Sequence, residues 1–163
     1  MLLNNCDPKK EKVLHVISGL NNGGAEAVLY RLCTNDNGNQ HVVISLMDFG
    51  KYGSLLLDGG IDVFMLNMPQ GKITFKGLRN LYQLIKEQKP DAVQTWMYHA
   101  DLIGGLVARF LGIKNVFWNI RQTSLEKGLT KRSTAYVAKL CALLSYFIPK
   151  KVICCASKAA EYN

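Results

Sequence analysis

The sequence predicts an α/β protein with a Rossmann-like, doubly wound parallel sheet, arranged as three α/β/α layers in a single domain spanning residues 1–163. Two observations predict this fold. Short apolar runs rich in β-branched residues alternate along the chain with segments of helical periodicity. The apolar runs are nearly continuous, which is typical of parallel strands that are buried on both faces.

Each predicted element is bounded by turn residues. The six predicted strands are Val13–Ser18, His41–Met47, Ile61–Leu66, Ala92–Trp96, Asn115–Ile120 and Lys150–Ala156. The predicted helices are Ala25–Cys33, Ser54–Asp58, Thr74–Lys89, Met97–Gly112 and Lys131–Phe147, with another beginning at Ser157. Gly104 and Gly105 each cost roughly 1 kcal/mol inside a helix, so we interpret them as points of close packing.

Composition narrows the function classes. The net charge of +8 favours a phosphate-bearing partner, whether nucleic acid, anionic lipid or a phosphorylated substrate. Five cysteines without C-x-x-C spacing disfavour a metal site and a disulfide framework, and they fit a reducing cytoplasm. The polar segment Met1–Glu11 lacks the apolar stretch of a signal peptide. Lys131–Phe147 is too interrupted by charge to span a bilayer.

The loop Gly19–Gly24 joins the first strand to the first helix. Its glycines leave the helix N-terminus open, and the free N–H groups and dipole of a helix N-terminus favour an anion there. The alternative is a glycine turn that is merely tight. The spacing is not G-x-G-x-x-G, and Ala25-Glu26 stands where a P-loop has Lys-Ser/Thr, so nicotinamide cofactors and P-loop chemistry are disfavoured.

The segments that follow the strands are rich in glycine, aromatic and hydrogen-bonding residues. In a doubly wound sheet they meet at the carboxyl edge, where ligands bind. These segments are Gly19–Gly24, Asp48–Gly53, Asn67–Lys72, Trp96–Asp101 and Arg121–Ser124. Their convergence predicts a binding cleft at that edge.

Four stretches in order resemble one family. They are Lys12–Leu20 followed by Gly23–Glu26, then Pro90–Gly105, Asn115–Arg121 and Val152–Ala159. Together they resemble the N-terminal domain of the family 4 (group 1) retaining glycosyltransferases of the GT-B fold. Ala156 replaces the valine of the family's pattern in the last stretch.

The resemblance implies one half of a two-domain enzyme. The N-terminal half binds a glycan or lipid-linked glycan acceptor, and a C-terminal domain, absent from this chain, holds a nucleotide-sugar donor. That sugar nucleotide is a substrate, so no cofactor and no metal are implied. The fragment alone is expected to be inactive. The protein is expected to be cytoplasmic, and peripheral contact with the inner membrane face is a further expectation.

The resemblance also implies roles for particular residues. Gly23 and Gly24 would face the donor diphosphate. His99 and Arg121 are the catalytic candidates; many members carry histidine where this chain has Arg121, and an arginine holds phosphate or a hydroxyl but cannot act as a base. The predicted acceptor contacts are Glu26, Trp96, Tyr98, His99 and Asn119. Glu26 has a second interpretation, as a first-turn acid favoured by the helix dipole.

Two other functions remain open. A stand-alone phosphate- or nucleotide-binding module would explain the glycine turn and the charge, but not the populated sheet edge. A nucleic-acid binder would need a basic patch with interleaved aromatics. Here Lys76, Arg79 and Lys86 lie on one helix and Lys139 on another at solvent-facing spacing, so no nucleic acid is expected. The same basic, partly aromatic helices would suit contact with an anionic membrane.

Overall fold

A computed structural model describes residues 10–120 and 132–154, with the backbone alone at 132–135 and 154. Its strands are β1 (Lys12–Ile17), β2 (Gln40–Ser45), β3 (Asp62–Met65), β4 (Ala92–Trp96), β5 (Val116–Ile120) and β6 (Lys151–Cys154). Its helices are α1 (Gly24–Asn35), α2 (Gly50–Asp58), α3 (Phe75–Gln88), α4 (Tyr98–Phe110) and α5 (Arg132–Leu144). Strands and helices alternate throughout, which confirms the predicted fold class.

The six strands form one sheet in the order β3-β2-β1-β4-β5-β6. Every pair of neighbours is parallel. The order reverses between β1 and β4, so the chain winds outward in both directions from the centre of the sheet. In such a sheet the reversal point is where a crevice opens at the carboxyl edge.

Alternate side chains of the central strands point to opposite faces of the sheet and pack into two separate cores. On one face, Leu14 and Val16 of β1 pack with buried residues of α3, α4 and α5. On the other face, Ile17 packs with Leu29 of α1 and Leu56 of α2. Helices therefore cover both faces, giving three layers. We call α3, α4 and α5 the outer basic layer, and its charge is described below.

Capping and close packing explain several element boundaries. The Thr74 hydroxyl accepts a hydrogen bond from the Gly77 N–H at 3.1 Å and so caps α3. A Cβ on Gly105 would lie 2.6 Å from the indole Nε1 of Trp118. The interpretation of Gly104 and Gly105 as packing glycines is confirmed, because helix α4 could not approach the sheet so closely with a larger residue at 105.

Two predicted helix boundaries were wrong by a turn or nearly a turn. Helix α2 begins at Gly50, inside the segment predicted as the loop Asp48–Gly53, because Gly53 is an interior helical residue packed against the Phe49 ring. Helix α5 ends at Leu144 and not at Phe147, where the backbone tightens so that both Phe147 and Ile148 donate to the Leu144 carbonyl. The predicted helix start at Ser157 lies outside the described residues.

Candidate functional site

The carboxyl ends of the inner strands lie level with one another. Parallel pairing places Ile17 of β1 opposite Ser45 of β2 on one side and opposite Trp96 of β4 on the other. Ser45 in turn lies opposite Met65 of β3. The segments that leave β1, β2, β3 and β4 therefore emerge side by side.

The loop after β1 meets α1 as an open helix N-terminus. Gly23 is the N-cap in an extended conformation, and no side chain caps the first turn. A Cβ on Gly24 would meet nothing within 4 Å, and Gly24 is exposed. The first-turn N–H groups are thus accessible to an anion approaching from outside.

Glu26 partly occupies this helix end. Its carboxylate lies against Gly23, so that a Cβ at position 23 would collide with it. A first-turn acid in this place is stabilised by the helix dipole. An incoming phosphate would meet the same carboxylate, so Glu26 must turn away before an anion can sit at Gly23. The predicted acceptor contact of Glu26 stays a prediction.

Helix α2 supports the glycine loop from one side. The Tyr52 N–H donates to the Leu20 carbonyl at 2.9 Å. Gly50 has a φ of +49°, and a Cβ there would collide with the Leu20 carbonyl and lie 2.7 Å from the Asn21 nitrogen. Glycine is therefore required at 50 for both reasons. The sequence analysis missed this role because the glycines of Asp48–Gly53 indicated only a turn.

Two adjoining cavities lie along the carboxyl edge, and together we call them the edge groove. The larger, with a volume of about 330 Å³, is lined by Asn21, Met47, Asp48, Asn67, Met68 and Gln70. The smaller, about 50 Å³, shares Met47 and Met68 and is also lined by Ser18, Leu46, Pro69, Gly71, Lys72, Ile73, His99 and Ile103. The Asn21 amide donates to the Asp48 carboxylate at 3.3 Å, which ties two of the segments together. Four of the five predicted segments thus contribute to one groove.

The inner end of the edge groove carries two polar groups, the His99 imidazole and the Ser18 hydroxyl. His99 is half-buried, and burial lowers the pKa of its imidazole, which is therefore neutral near pH 7. The Ser18 hydroxyl oxygen is buried and has no hydrogen-bond partner within the described chain. Buried hydroxyls are normally paired, so Ser18 offers a donor and an acceptor to a ligand hydroxyl. The sequence analysis placed Ser18 in a strand and missed it.

Three of the predicted acceptor residues are buried. Trp96 is 0% exposed, Tyr98 5% and Asn119 2%. Their side chains present almost no surface to a ligand, and their predicted contact with an acceptor stays a prediction. Arg121, the remaining catalytic candidate, lies outside the described residues, as does the whole segment Arg121–Ser124.

Two features at the start of α4 were not predicted. Met97, the N-cap, has φ 71° and ψ 150°, a conformation that non-glycine residues rarely adopt and that recurs at functional sites. Asp101 is fully buried, and burial raises the pKa of its carboxyl well above the usual range. Its Oδ1 lies 2.6 Å from the Thr95 hydroxyl. The available signal for a buried carboxyl was an acid directly before the apolar stretch Leu102–Val107.

Comparison with known proteins rests on structure. No protein-family model matches the chain, and no curated protein sequence matches it. MurG of Acinetobacter baumannii matches with a TM-score of 0.60 at 21% identity, covering 91% of this chain and 42% of that one. HepE of Anabaena, solved with UDP and glucose, matches with a TM-score of 0.65 at 16% identity, covering 87% and 37%. A UDP-N-acetylglucosamine 2-epimerase matches with a TM-score of 0.63 at 19% identity, covering 94% and 44%.

This chain has the Rossmann-like fold of a GT-B domain. It spans about two fifths of the length of these neighbours. A glycosyltransferase and UDP-N-acetylglucosamine 2-epimerases are among the proteins that share the fold, so the likeness shows the fold and selects no reaction. In the described part of the chain, no helix is long and apolar enough to cross a bilayer.

Proposed function

We propose that this chain is the N-terminal, acceptor-binding half of a family 4 (group 1) glycosyltransferase. It would transfer a sugar with retention from a nucleotide-sugar to a glycan or a lipid-linked glycan. The observation that carries the proposal is the edge groove, to which four post-strand segments contribute; one of them, Gly19–Gly24, ends at the open N-terminus of α1. A donor held by a second domain would complete the site from the opposite side of the cleft.

The α1 N-terminus, two residues of the groove and Arg121 each have a proposed task. The first-turn N–H groups at Gly23 and Gly24 would bind the donor diphosphate and stabilise its charge as the sugar departs. The neutral imidazole of His99 would accept a hydrogen bond from the acceptor hydroxyl, and Ser18 would orient that hydroxyl. Arg121, which follows β5, would hold phosphate or an acceptor hydroxyl through bidentate hydrogen bonds from its guanidinium. These groups supply the stabilisation without a metal.

The substitution Gly24→Asp tests the phosphate role. A carboxylate there would repel a diphosphate yet fit the open space and the helix dipole, so the fold should persist while transfer by the full-length protein is abolished. Gly24→Ala is the matched control, since it adds bulk without charge, and it should retain most activity. Unimpaired turnover by the aspartate variant would refute the phosphate site.

A donor and acceptor screen on the full-length protein tests the reaction itself. We expect transfer that survives removal of divalent cations with EDTA, and no transfer by residues 1–163 alone. Transfer by the isolated chain would refute the half-enzyme proposal. Loss of transfer on chelation, restored by added metal, would refute the metal-independent mechanism.

The alternative function is a stand-alone phosphate- or nucleotide-binding module without catalysis. It accounts for the open helix N-terminus, but the polar groove extending to His99 has no role in it. A full-length protein that binds inorganic phosphate at Gly24 yet transfers no sugar from any nucleotide-sugar donor would favour this alternative.

We further propose that the outer basic layer rests on an anionic membrane. Phe75, Phe110 and Tyr146 are each more than four-fifths exposed, and all lie on or next to this layer. Its exposed charges are mainly basic, namely Lys76, Arg79, Lys86 and Lys139, and Glu87 is the one exposed acid among the described residues of α3, α4 and α5. Exposed aromatics beside lysines suit an anionic bilayer surface.

Vesicle sedimentation tests the membrane contact. We expect full-length protein to pellet with phosphatidylcholine vesicles that contain phosphatidylglycerol, and much less with phosphatidylcholine alone or in high salt. Phe110→Ser should weaken binding, whereas Leu57→Ser, an exposed apolar position on α2 in the opposite layer, should not. Absence of binding at every salt concentration would refute the contact.

A further inference from the structure

A cluster of metal-ligand residues lies away from the edge groove, beneath α1. His15 of β1, Cys33 of α1 and His41 of β2 are all buried, and one ligand atom from each lies within 4.8 Å of the others. The spacing of these residues along the sequence carries no metal motif. Parallel pairing brings them together, since His41 lies opposite Val13 and so on the same side of the sheet as His15.

The hydrogen bonds around the two histidines define where their protons lie. The Trp96 indole nitrogen can only donate, and it lies 3.3 Å from His15 Nδ1. His15 must therefore carry its proton on Nε2, which lies 2.9 Å from His41 Nδ1. His41 Nδ1 must accept this bond, which leaves the proton of His41 on Nε2. That nitrogen lies 3.2 Å from Asp36 Oδ2 and donates to it. Each group therefore donates to the next, from Trp96 to His15, from His15 to His41 and from His41 to Asp36.

This proton order is incompatible with a metal centre. A cation bound at His15 Nε2 would move the ring proton to Nδ1, where it would face the Trp96 N–H donor. Burial and the neighbouring His41 lower the pKa of His15 to about 3, so the ring does not gain a second proton at neutral pH. Burial also raises the pKa of the Cys33 thiol to about 12, whereas a metal would need its thiolate.

Trp96 links this chain of hydrogen bonds to the edge groove. It is the last residue of β4 and packs in one buried cluster with Ile17 and with Leu20 of the glycine loop. It also precedes Met97, whose unusual backbone conformation must be held by its surroundings. Holding the indole in place therefore holds both the residues that pack under the glycine loop and the start of α4.

We propose that His15 and His41 are positioning residues. Through a proton-ordered chain from Trp96 to Asp36, they hold the Trp96 indole beneath the glycine loop and the N-terminus of α4. Their role in catalysis rests on the proposed function, but the placement of the protons along these hydrogen bonds does not. The pair is a hydrogen-bonded support and not a metal centre.

Nitrogen NMR of the histidine-labelled full-length protein tests the proton order without any activity. Variants His15→Gln and His41→Gln assign the two signals, because each variant removes one of them. We expect both His15 and His41 to carry the proton on Nε2 at pH 7, and added Zn²⁺ to leave their signals unchanged. A His15 protonated on Nδ1, or stoichiometric Zn²⁺ binding that shifts both rings, would overturn the proposal.

Two substitutions at position 15 test positioning. His15→Gln keeps an acceptor for the Trp96 N–H and a donor for His41, whereas His15→Leu keeps neither. The Trp96 indole N–H signal should shift in the leucine variant and stay near its place in the glutamine variant, with the Trp118 signal as an internal reference. Trp118 suits this use because its indole nitrogen is buried without a hydrogen-bond partner in the described chain.

Transfer kinetics of the full-length protein complete the test. We expect kcat/KM to fall roughly tenfold or more in His15→Leu, at a temperature where the variant is folded, and to recover to within a few-fold in His15→Gln. Equal loss in both variants, or no loss in either, would overturn the positioning role. If the unaltered full-length protein transfers no sugar, the proposed function fails, while the NMR result still decides the proton order.

Discussion

The buried His15 should make the stability of this chain sensitive to acid. Its pKa is about 3 in the folded chain, against 6.5 for an unperturbed histidine. The unfolded chain therefore binds a proton more readily between these values, and stability is lost as the pH falls through that window. With one pKa unit equal to about 1.4 kcal/mol, the contribution of His15 between pH 7 and pH 4.5 is about 2–3 kcal/mol.

Urea unfolding at pH 7 and at pH 4.5 measures this loss, and His15→Gln isolates it. Other groups also titrate in this range. The lowered pKa of Asp36, held down first by its hydrogen bond from Asn39, adds to the loss in acid, whereas the raised pKa of Asp101 opposes it. Both groups remain in the variant, so comparison of the two proteins cancels them. We expect the glutamine variant to lose about 2–3 kcal/mol less than the unaltered chain. An equal loss in both proteins would show that His15 is not the acid-sensitive group.

Three further substitutions can be checked by urea unfolding. Gly105→Ala should destabilise by about 1–3 kcal/mol, although alanine is the better helix former, because its Cβ would press on the Trp118 ring; a gain in stability would contradict this packing. Gly50→Ala should cost at least about 1 kcal/mol, since its φ is positive and the Leu20 carbonyl fills the space. Asp101→Asn should match the unaltered chain near pH 4 and exceed it at pH 7, because a carboxyl with a raised pKa loses stability as the pH rises; the reverse order would show that this carboxyl is not held neutral.

The strands could be predicted because their chemistry is local. Val93 and Val116 lie in short apolar runs that have no alternative to burial, and all six strands appear where such runs occur. Helix boundaries were harder to predict. The two glycines near Phe49 indicate a turn in isolation, and only packing of the Phe49 ring against Gly53 makes the second of them helical. Tertiary contact decided that boundary over local propensity.

The candidate site was predictable in outline only. The rule that ligands bind at the carboxyl edge brought the right segments together, because it depends on topology alone. It could not show which side chains are exposed in the groove: Trp96 and Asn119 are both buried, and their predicted contact with an acceptor stays a prediction. The His15–His41 pair was also out of reach, because its members meet only through the register of two parallel strands.

Under the proposed function, the layered arrangement has a consequence for how a lipid-linked acceptor would reach the groove. The outer basic layer covers one face of the sheet, whereas the edge groove opens at the ends of the strands, roughly at right angles to that face. A domain lying with this layer on a bilayer would therefore open its groove sideways, along the plane of the membrane. A lipid-anchored acceptor could then reach His99 by lateral diffusion, with its chain still embedded. The same geometry would leave α1 and its open N-terminus facing the aqueous side, from which a soluble sugar nucleotide comes.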